Sequence, residues 1–199
     1  MWALFQAGGP VMWPLLLCSV TALTIILERA YFWARLDLDR DRAEIETLLE
    51  ACRTRQDAPG PKGGSAVFKM LLSGMAHEGF AGARAMESAA LEEIRAMRRG
   101  MNILDTIITI APMLGILGTV LGIITTFDIL GQRGVEDPMS VVSGIAEALI
   151  TTAAGLGISV GTVFPFNYFN SRIEDARDLF EHYGTRLEIA QESRASGER

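Results

Sequence analysis

The chain reads as an all-α integral membrane protein with three transmembrane helices. Its N-terminus is expected outside and its C-terminus inside, with long helices extending into a cytoplasmic helical segment. Three observations predict this fold. First, long stretches are free of charge: residues 1–27 hold no charged side chain, and Thr106–Phe127 is a run of 22 residues between Asp105 and Asp128. In the third stretch, Glu147 is the only charge between Asp137 and Arg172. At ~1.5 Å of rise per residue, about 20 helical residues cross a ~30 Å hydrocarbon layer. Second, the intervening segments are charged and amphipathic, which is how 49 % hydrophobic and 21 % charged residues coexist in 199. Third, lysine and arginine are unevenly spread: 12 lie between Glu28 and Asn102, five from Ser171 onward, and only Arg133 between the second and third spans. Positive charge is retained inside, so both large polar segments are expected in the cytoplasm.

The elements follow in order. Residues 1–10 form an outer N-terminus, and 11–33 the first span, with Trp13 at one end and Tyr31, Phe32 and Trp33 at the other as interfacial anchors. A cleaved signal peptide is the rival, but there is no basic leader and no small-residue cleavage site, so a retained helix is expected. Residues 34–100 form the cytoplasmic segment. There Leu38, Ile45, Leu48, Leu49 and Cys52 stripe one amphipathic helix, and Asp57–Ser65 is a turn-rich break. Ala66–His77 is a short helix, Glu78–Gly82 a second break, and Arg84–Arg99 another amphipathic helix with Met86, Ala90, Ile94 and Met97 on one side. With only Gly100 between them, that helix is expected to continue into the second span, 101–127. A short outer link, 128–141, leads to the third span, 142–168, where Pro165 suggests a kink. Ile173, Ala176, Phe180, Tyr183 and Leu187 then mark a C-terminal helix over 169–199, frayed from Gln191.

Two spans carry matching patterns. At ~100° per residue, Ala111, Gly115, Gly118, Thr119, Gly122, Thr125 and Thr126 share one arc, and bulky residues fill the rest. In the third span Gly144, Glu147, Ala148, Thr151, Thr152, Gly155, Ser159 and Thr162 do the same, opposite Leu149, Leu156, Val160 and Phe164. Small faces let helix backbones approach closely in lipid, so Gly115, Gly118, Gly122, Gly144 and Gly155 are candidate packing positions. The hydroxyls Thr119, Thr151, Thr152 and Ser159, with the acid Glu147, are candidates for lining an ion path. A lone carboxylate within a span usually faces protein or water, so hydrogen bonding to a neighbouring helix is the alternative for Glu147.

Other chemistries find no support. A net charge of −6 leaves no basic stripe for nucleic acid. Cys18 lies in an apolar run and Cys52 in a charged helix, so no disulfide between them is expected. His77 and His182 sit in separate polar segments without metal-ligand spacing, and no catalytic site, metal site or cofactor is expected. Asp105 reads as a solvated or interfacial charge, with a vestibule role as the alternative.

APMLGILGTVLGIITTF and, further on, SGIAEALITTAAGL resemble the paired core motifs of the ExbB/TolQ/MotA proton-channel family. WPLLLCSVTALTIILER is similar to the first span of its three-span ExbB/TolQ branch. Gly161 and Ser143 stand where family members often carry proline, and the cytoplasmic segment is short. The resemblance implies a multi-pass protein of the bacterial inner membrane, a homopentamer in contact with lipid, enclosing a single-span ExbD/TolR-like partner. It implies proton flow, with sodium as the alternative ion, driving work on a periplasm-spanning TonB/TolA-like protein. The family's pore threonines fall on Thr119 and Thr152, and its acidic pore-region residue on Glu147. A non-conducting membrane scaffold is the competing expectation.

Overall fold

The computed structural model describes residues 8–36, 42–54, 65–77, 79–133 and 138–196. Its described residues form six helices: α1 Met12–Arg35, α2 Arg42–Thr54, α3 Ala66–Met75, α4 Phe80–Met97, α5 Met101–Arg133 and α6 Pro138–Ser196. Helices α1, α5 and α6 each contain a segment long and apolar enough to cross a membrane. Leu38 and the breaks and links at 57–64, 78 and 134–137 lie outside the described residues.

The chain divides into two compact units. The first comprises residues 8–29 and Gly100–Tyr168. Here α1 begins with Met12 N–H donating to the Gly9 carbonyl at 3.2 Å and Trp13 N–H to the Pro10 carbonyl at 3.3 Å. Pro14 falls in the first turn, where its missing donor costs nothing. The interior is built from Ala22, Ala111, Gly115, Gly118, Ala148, Thr151, Gly155 and Thr162, with Leu15, Arg29, Met101, Leu104 and Ile107 among its large members. Most other leucines, isoleucines and phenylalanines are exposed or half-buried: Leu17 is 69 % exposed, Phe127 65 % and Phe164 71 %. Such a coat would be untenable in water and is suited to lipid or to neighbouring subunits.

The second unit comprises the described residues of Ala30–Arg99 and those from Phe169 onward. Its core is conventional. Ile45, Leu48, Leu49 and Cys52 from α2 are buried with Phe68, Met70 and Leu71 from α3, Met86 and Met97 from α4, and Ile173, Ala176, Phe180, Tyr183 and Leu187 from α6. The described stripes expected on α2 and on α6 beyond Ile173 are therefore faces they bury, and on α4 Met86 and Met97 are buried while Ala90 and Ile94 are half-buried. Helix α4 starts at Phe80, earlier than expected, because Gly79 turns at φ +60°. A Cβ on Gly82 would lie 2.6 Å from the His77 carbonyl and 2.7 Å from that of Gly74, so the α3–α4 hairpin closes backbone to backbone there. At the surface Arg186 forms a two-pronged bond with Glu46 at 2.5 and 2.8 Å, and Lys69 meets Glu93 at 3.1 Å. The hydrogen bond to Glu46, together with its charge, holds the Arg186 guanidinium above its ordinary pKa against a smaller opposing effect of burial.

Three expectations are corrected. Helix α4 does not run on into the second span: it ends at Met97, and Gly100 at φ +79° breaks the helix before α5 begins. The Gly100 carbonyl then accepts from Ile103 and Leu104, opening a new helix. One glycine suffices because the left-handed conformation costs it little. The expected link over 128–141 is helical over its described residues, since α5 continues to Arg133 and α6 starts at Pro138, while the apolar part of α5 ends at Asp128, one residue past the expected Phe127. The tail is not frayed from Gln191, since α6 continues to Ser196. Both Pro112 and Pro165 lie within continuous helices.

Candidate functional site: the α5–α6 seam

The two small faces meet each other. A Cβ added to Gly155 would run into the Ala111 carbonyl and lie 3.1 Å from Gly115 Cα, and one on Gly115 would lie 3.0 Å from Thr152 Cα. One on Gly118 would lie 2.7 Å from Thr151 Cβ, and one on Gly122 2.9 Å from Ala148 Cβ. A Cβ on Gly144 would overlap the Thr126 hydroxyl. Positions on α5 rise as their partners on α6 fall, so the helices run antiparallel. All five glycines expected to pack helices lie in this seam. Bulk cannot be admitted because the opposing atoms are largely backbone or short side chains.

The seam's hydroxyls settle its carbonyls. Pro112 has no N–H, so the Ile108 carbonyl four residues earlier loses its usual helical donor. Ser159 Oγ donates to that carbonyl at 2.7 Å. Near mid-seam, Thr152 Oγ1 donates to the Gly115 carbonyl at 2.9 Å, and Thr151 Oγ1 reaches the same oxygen at 3.5 Å. Thr119 Oγ1 donates to the Ile116 carbonyl at 2.6 Å and lies 3.3 Å from Thr152 Oγ1. The Thr119 and Thr152 hydroxyls are thus neighbours, on residues that are each half-buried. Both give their protons to backbone carbonyls, so while held there the pair has acceptor capacity left for a water or a protonated carboxyl.

The remaining candidates separate by exposure. Thr151 is 1 % exposed, with its hydroxyl donated to the Ala148 carbonyl at 2.7 Å, so it sits closed inside the seam. Thr125, expected on the small face, is exposed and bonds back to Leu121. Glu147 is half-buried five residues before Thr152, about 7.5 Å along the helix. Against it lies Gly9: a Cβ there would overlap Glu147 Oε1 and lie 3.2 Å from Cδ. Asp105 is exposed on α5. Away from the seam, His77 is exposed with Nδ1 near the Ser73 carbonyl, His182 stacks edge-on against Tyr183, and both cysteines are free thiols. Among the described residues no three histidine, cysteine or acidic groups gather as metal ligands.

Two contributors escaped the sequence. The Gly8-Gly9-Pro10 turn could have been noticed as an unusual run ahead of an apolar helix, but nothing in it names Glu147 as its contact. The Pro112–Ser159 link was half visible, since a proline within a span announces an orphan carbonyl without saying which side chain answers it.

A model of the MotA/TolQ/ExbB proton channel family matches residues 65–182, which include the whole α5–α6 seam. The chain is 39 % identical over 200 residues to the biopolymer transport protein ExbB-like 1 of Synechocystis sp., spanning 93 % of this chain and 76 % of that protein. It is 34 % identical over 177 residues to ExbB-like 3 of the same organism, spanning 83 % of each. Over 90 residues it is 36 % identical to the Tol-Pal system protein TolQ of Haemophilus influenzae, covering 45 % of this chain and 40 % of that one. With three apolar helices and the small-faced seam inside the matched span, this membrane protein belongs to the MotA/TolQ/ExbB proton channel family.

Proposed function

We propose that the chain is the channel and stator subunit of an inner-membrane motor, coupling proton-motive force to mechanical work on a periplasmic partner. The observation that carries this is the Thr119–Thr152 pair: two hydroxyls 3.3 Å apart, on half-buried residues of two apolar spans. Glu147 adds the nearest charge on the same face of α6. The spans hold no other carboxylate between Thr106 and Phe127 or between Ala148 and Ser171. A proton relay through this chain therefore needs an acid from outside it. A single-span ExbD/TolR-like partner would supply one, enclosed by several copies of this chain, five in the ExbB/TolQ arrangement. Protons are the proposed ion, with sodium as the alternative, and a TonB/TolA-like protein the proposed recipient of the work. The N-terminus would lie in the periplasm and both polar segments in the cytoplasm. Thr119, Thr152 and Glu147 are assigned to the ion path. Thr151 is assigned to packing because it is closed inside the seam, and Ser159 because its hydroxyl replaces the donor that Pro112 lacks.

A non-conducting scaffold remains the second reading, favoured by how fully the Thr151, Thr152 and Ser159 hydroxyls serve backbone carbonyls. Valine keeps threonine's shape without the hydroxyl, and interhelical hydroxyl bonds in membranes average only ~0.6 kcal/mol, so Thr119→Val and Thr152→Val should leave the assembly standing. In a conduction path the same loss dries a narrow wet site. Ion-driven acidification of cells carrying the chain with its co-purifying partner should fall strongly in both variants, with serine retaining more than valine. Full activity in the double valine variant with an intact complex would leave the scaffold.

A further inference from the structure

The turn before α1 lies against the one acid of the seam. Gly8 and Val11 are buried, and the turn is tied into α1 by the Met12 and Trp13 amides, which donate to the Gly9 and Pro10 carbonyls. A Cβ on Gly8 would lie 3.5 Å from Thr151 Cγ2, which places the turn on the same face of α6 as Glu147. Gly9 is at φ +65°, a conformation that L residues other than Asn and Asp rarely adopt. A Cβ there would overlap Glu147 Oε1 and lie 3.2 Å from Cδ and 3.8 Å from Cγ, so the turn at Gly9 lies against the Oε1 side of the half-buried carboxyl. Gly9 also lies outside the residues that match the family.

We infer that Gly9 is a positioning residue: its side-chain-free, left-handed backbone lets the 8–11 turn close over the Glu147 carboxyl and limit the acid's exposure. This rests on the reading of Glu147 as part of the ion path only for its functional consequence. The cover itself is a matter of geometry. Any Cβ at position 9 forces either the turn or the carboxylate to move, and a carboxylate freed from the turn becomes more open to reagents.

The experiment is labelling of the full chain in liposomes with a membrane-permeant carbodiimide, read by peptide mass spectrometry. Exposed Asp105 on α5 serves as the internal reference. In the parent chain Glu147 should label more slowly than Asp105. Gly9→Ala and Gly9→Asn should each raise the Glu147-to-Asp105 ratio severalfold. Asparagine tolerates the left-handed backbone, so a rise that it shares with alanine comes from the Cβ and not from backbone strain. Unchanged ratios in both variants, with oligomer size preserved, would overturn the inference. Should Gly9→Asn fail to fold, removing the opposing carboxylate as Gly9→Asn/Glu147→Ala should restore folded yield, and failure to restore it overturns the inference too. A rise in labelling without any change in ion flux supports the cover while removing Glu147 from the ion path, so the two readings fail separately.

Discussion

The two units of this molecule are assembled from opposite materials. In the unit holding Gly100–Tyr168, glycine, alanine and threonine are inside and leucine, isoleucine and phenylalanine are largely outside. In the other, Ile45, Leu48, Leu71 and Leu187 are fully buried while arginine, glutamate and aspartate cover the surface. The difference is one of solvent. Water rewards burying a leucine by ~25 cal/mol per Å² of apolar area. Lipid offers almost no such reward, so helices there are held by close approach and by satisfying polar groups. Bulk is thus an asset in one interior and an obstruction in the other.

The largest effects should come from putting bulk into the seam. Gly155→Leu and Gly118→Leu should abolish the α5–α6 pair, and Gly155→Ala should cost ~1–3 kcal/mol, because the Ala111 carbonyl in its way is backbone. Gly157→Ala and Gly161→Ala on the same helix meet nothing within 4 Å and should be neutral, or stabilising by up to ~1 kcal/mol through helix propensity. Unfolding of the detergent-solubilised protein in increasing SDS measures all five. Equal sensitivity at Gly155 and Gly157 would break the comparison.

Next come leucines in the two settings. Leu48→Ala or Leu187→Ala should cost ~2–5 kcal/mol by opening a cavity in a packed core. Leu149→Ala and Leu156→Ala, on the outward face of α6, should cost well under ~1 kcal/mol in folding of the single chain. A large loss of oligomer at Leu149 or Leu156, with the chain still folded, would mark that face as a subunit contact and not a lipid surface.

A smaller and more specific effect is expected at Ser159. Ser159→Ala leaves the Ile108 carbonyl without its donor, at a cost of ~1–3 kcal/mol. Pro112→Ala restores a backbone N–H to that carbonyl, so the cost of Ser159→Ala should shrink in the Pro112→Ala background. Additive costs would show that the two residues do not serve one acceptor.

The smallest effect should be at the exposed Arg186–Glu46 pair. Glu46→Gln should cost at most ~1 kcal/mol and less in high salt, as measured by thermal melts at two ionic strengths. The Arg186 pKa is raised, so the guanidinium's part of that stability is present throughout the neutral range. It would fade only as pH rose through the raised value, far into the alkaline range.

Much of the architecture was legible because the bilayer imposes length and periodicity. An uncharged run of 22 residues announces a span, and the 3.6-residue repeat of small residues marked both faces of the seam before any contact was known. The amphipathic stripes of α2 and of α6 beyond Ile173 were likewise readable, since water sorts leucine from glutamate. The junction at Gly100 was misjudged because a single glycine is compatible with either a continuing helix or a left-handed stop. Arg84–Arg99 is amphipathic under both outcomes. Thr151 was grouped with Thr152 because neighbouring hydroxyls on one arc look alike, although one turns into the seam and the other stands at its edge.

What the sequence by itself determined is therefore the family, the three apolar helices and the small, hydroxylated faces. The helices and their faces follow from local composition acting against a known solvent, and the family from the resemblance of the motifs that those faces carry. Only the tertiary structure decided which carbonyl each hydroxyl serves, that Ser159 answers the gap left by Pro112, and that the Gly9 turn lies over Glu147. The pairings that cross between elements join residues 36 to 138 positions apart. They depend on register between helices, which is set by where backbones can approach and leaves no periodic trace along the chain.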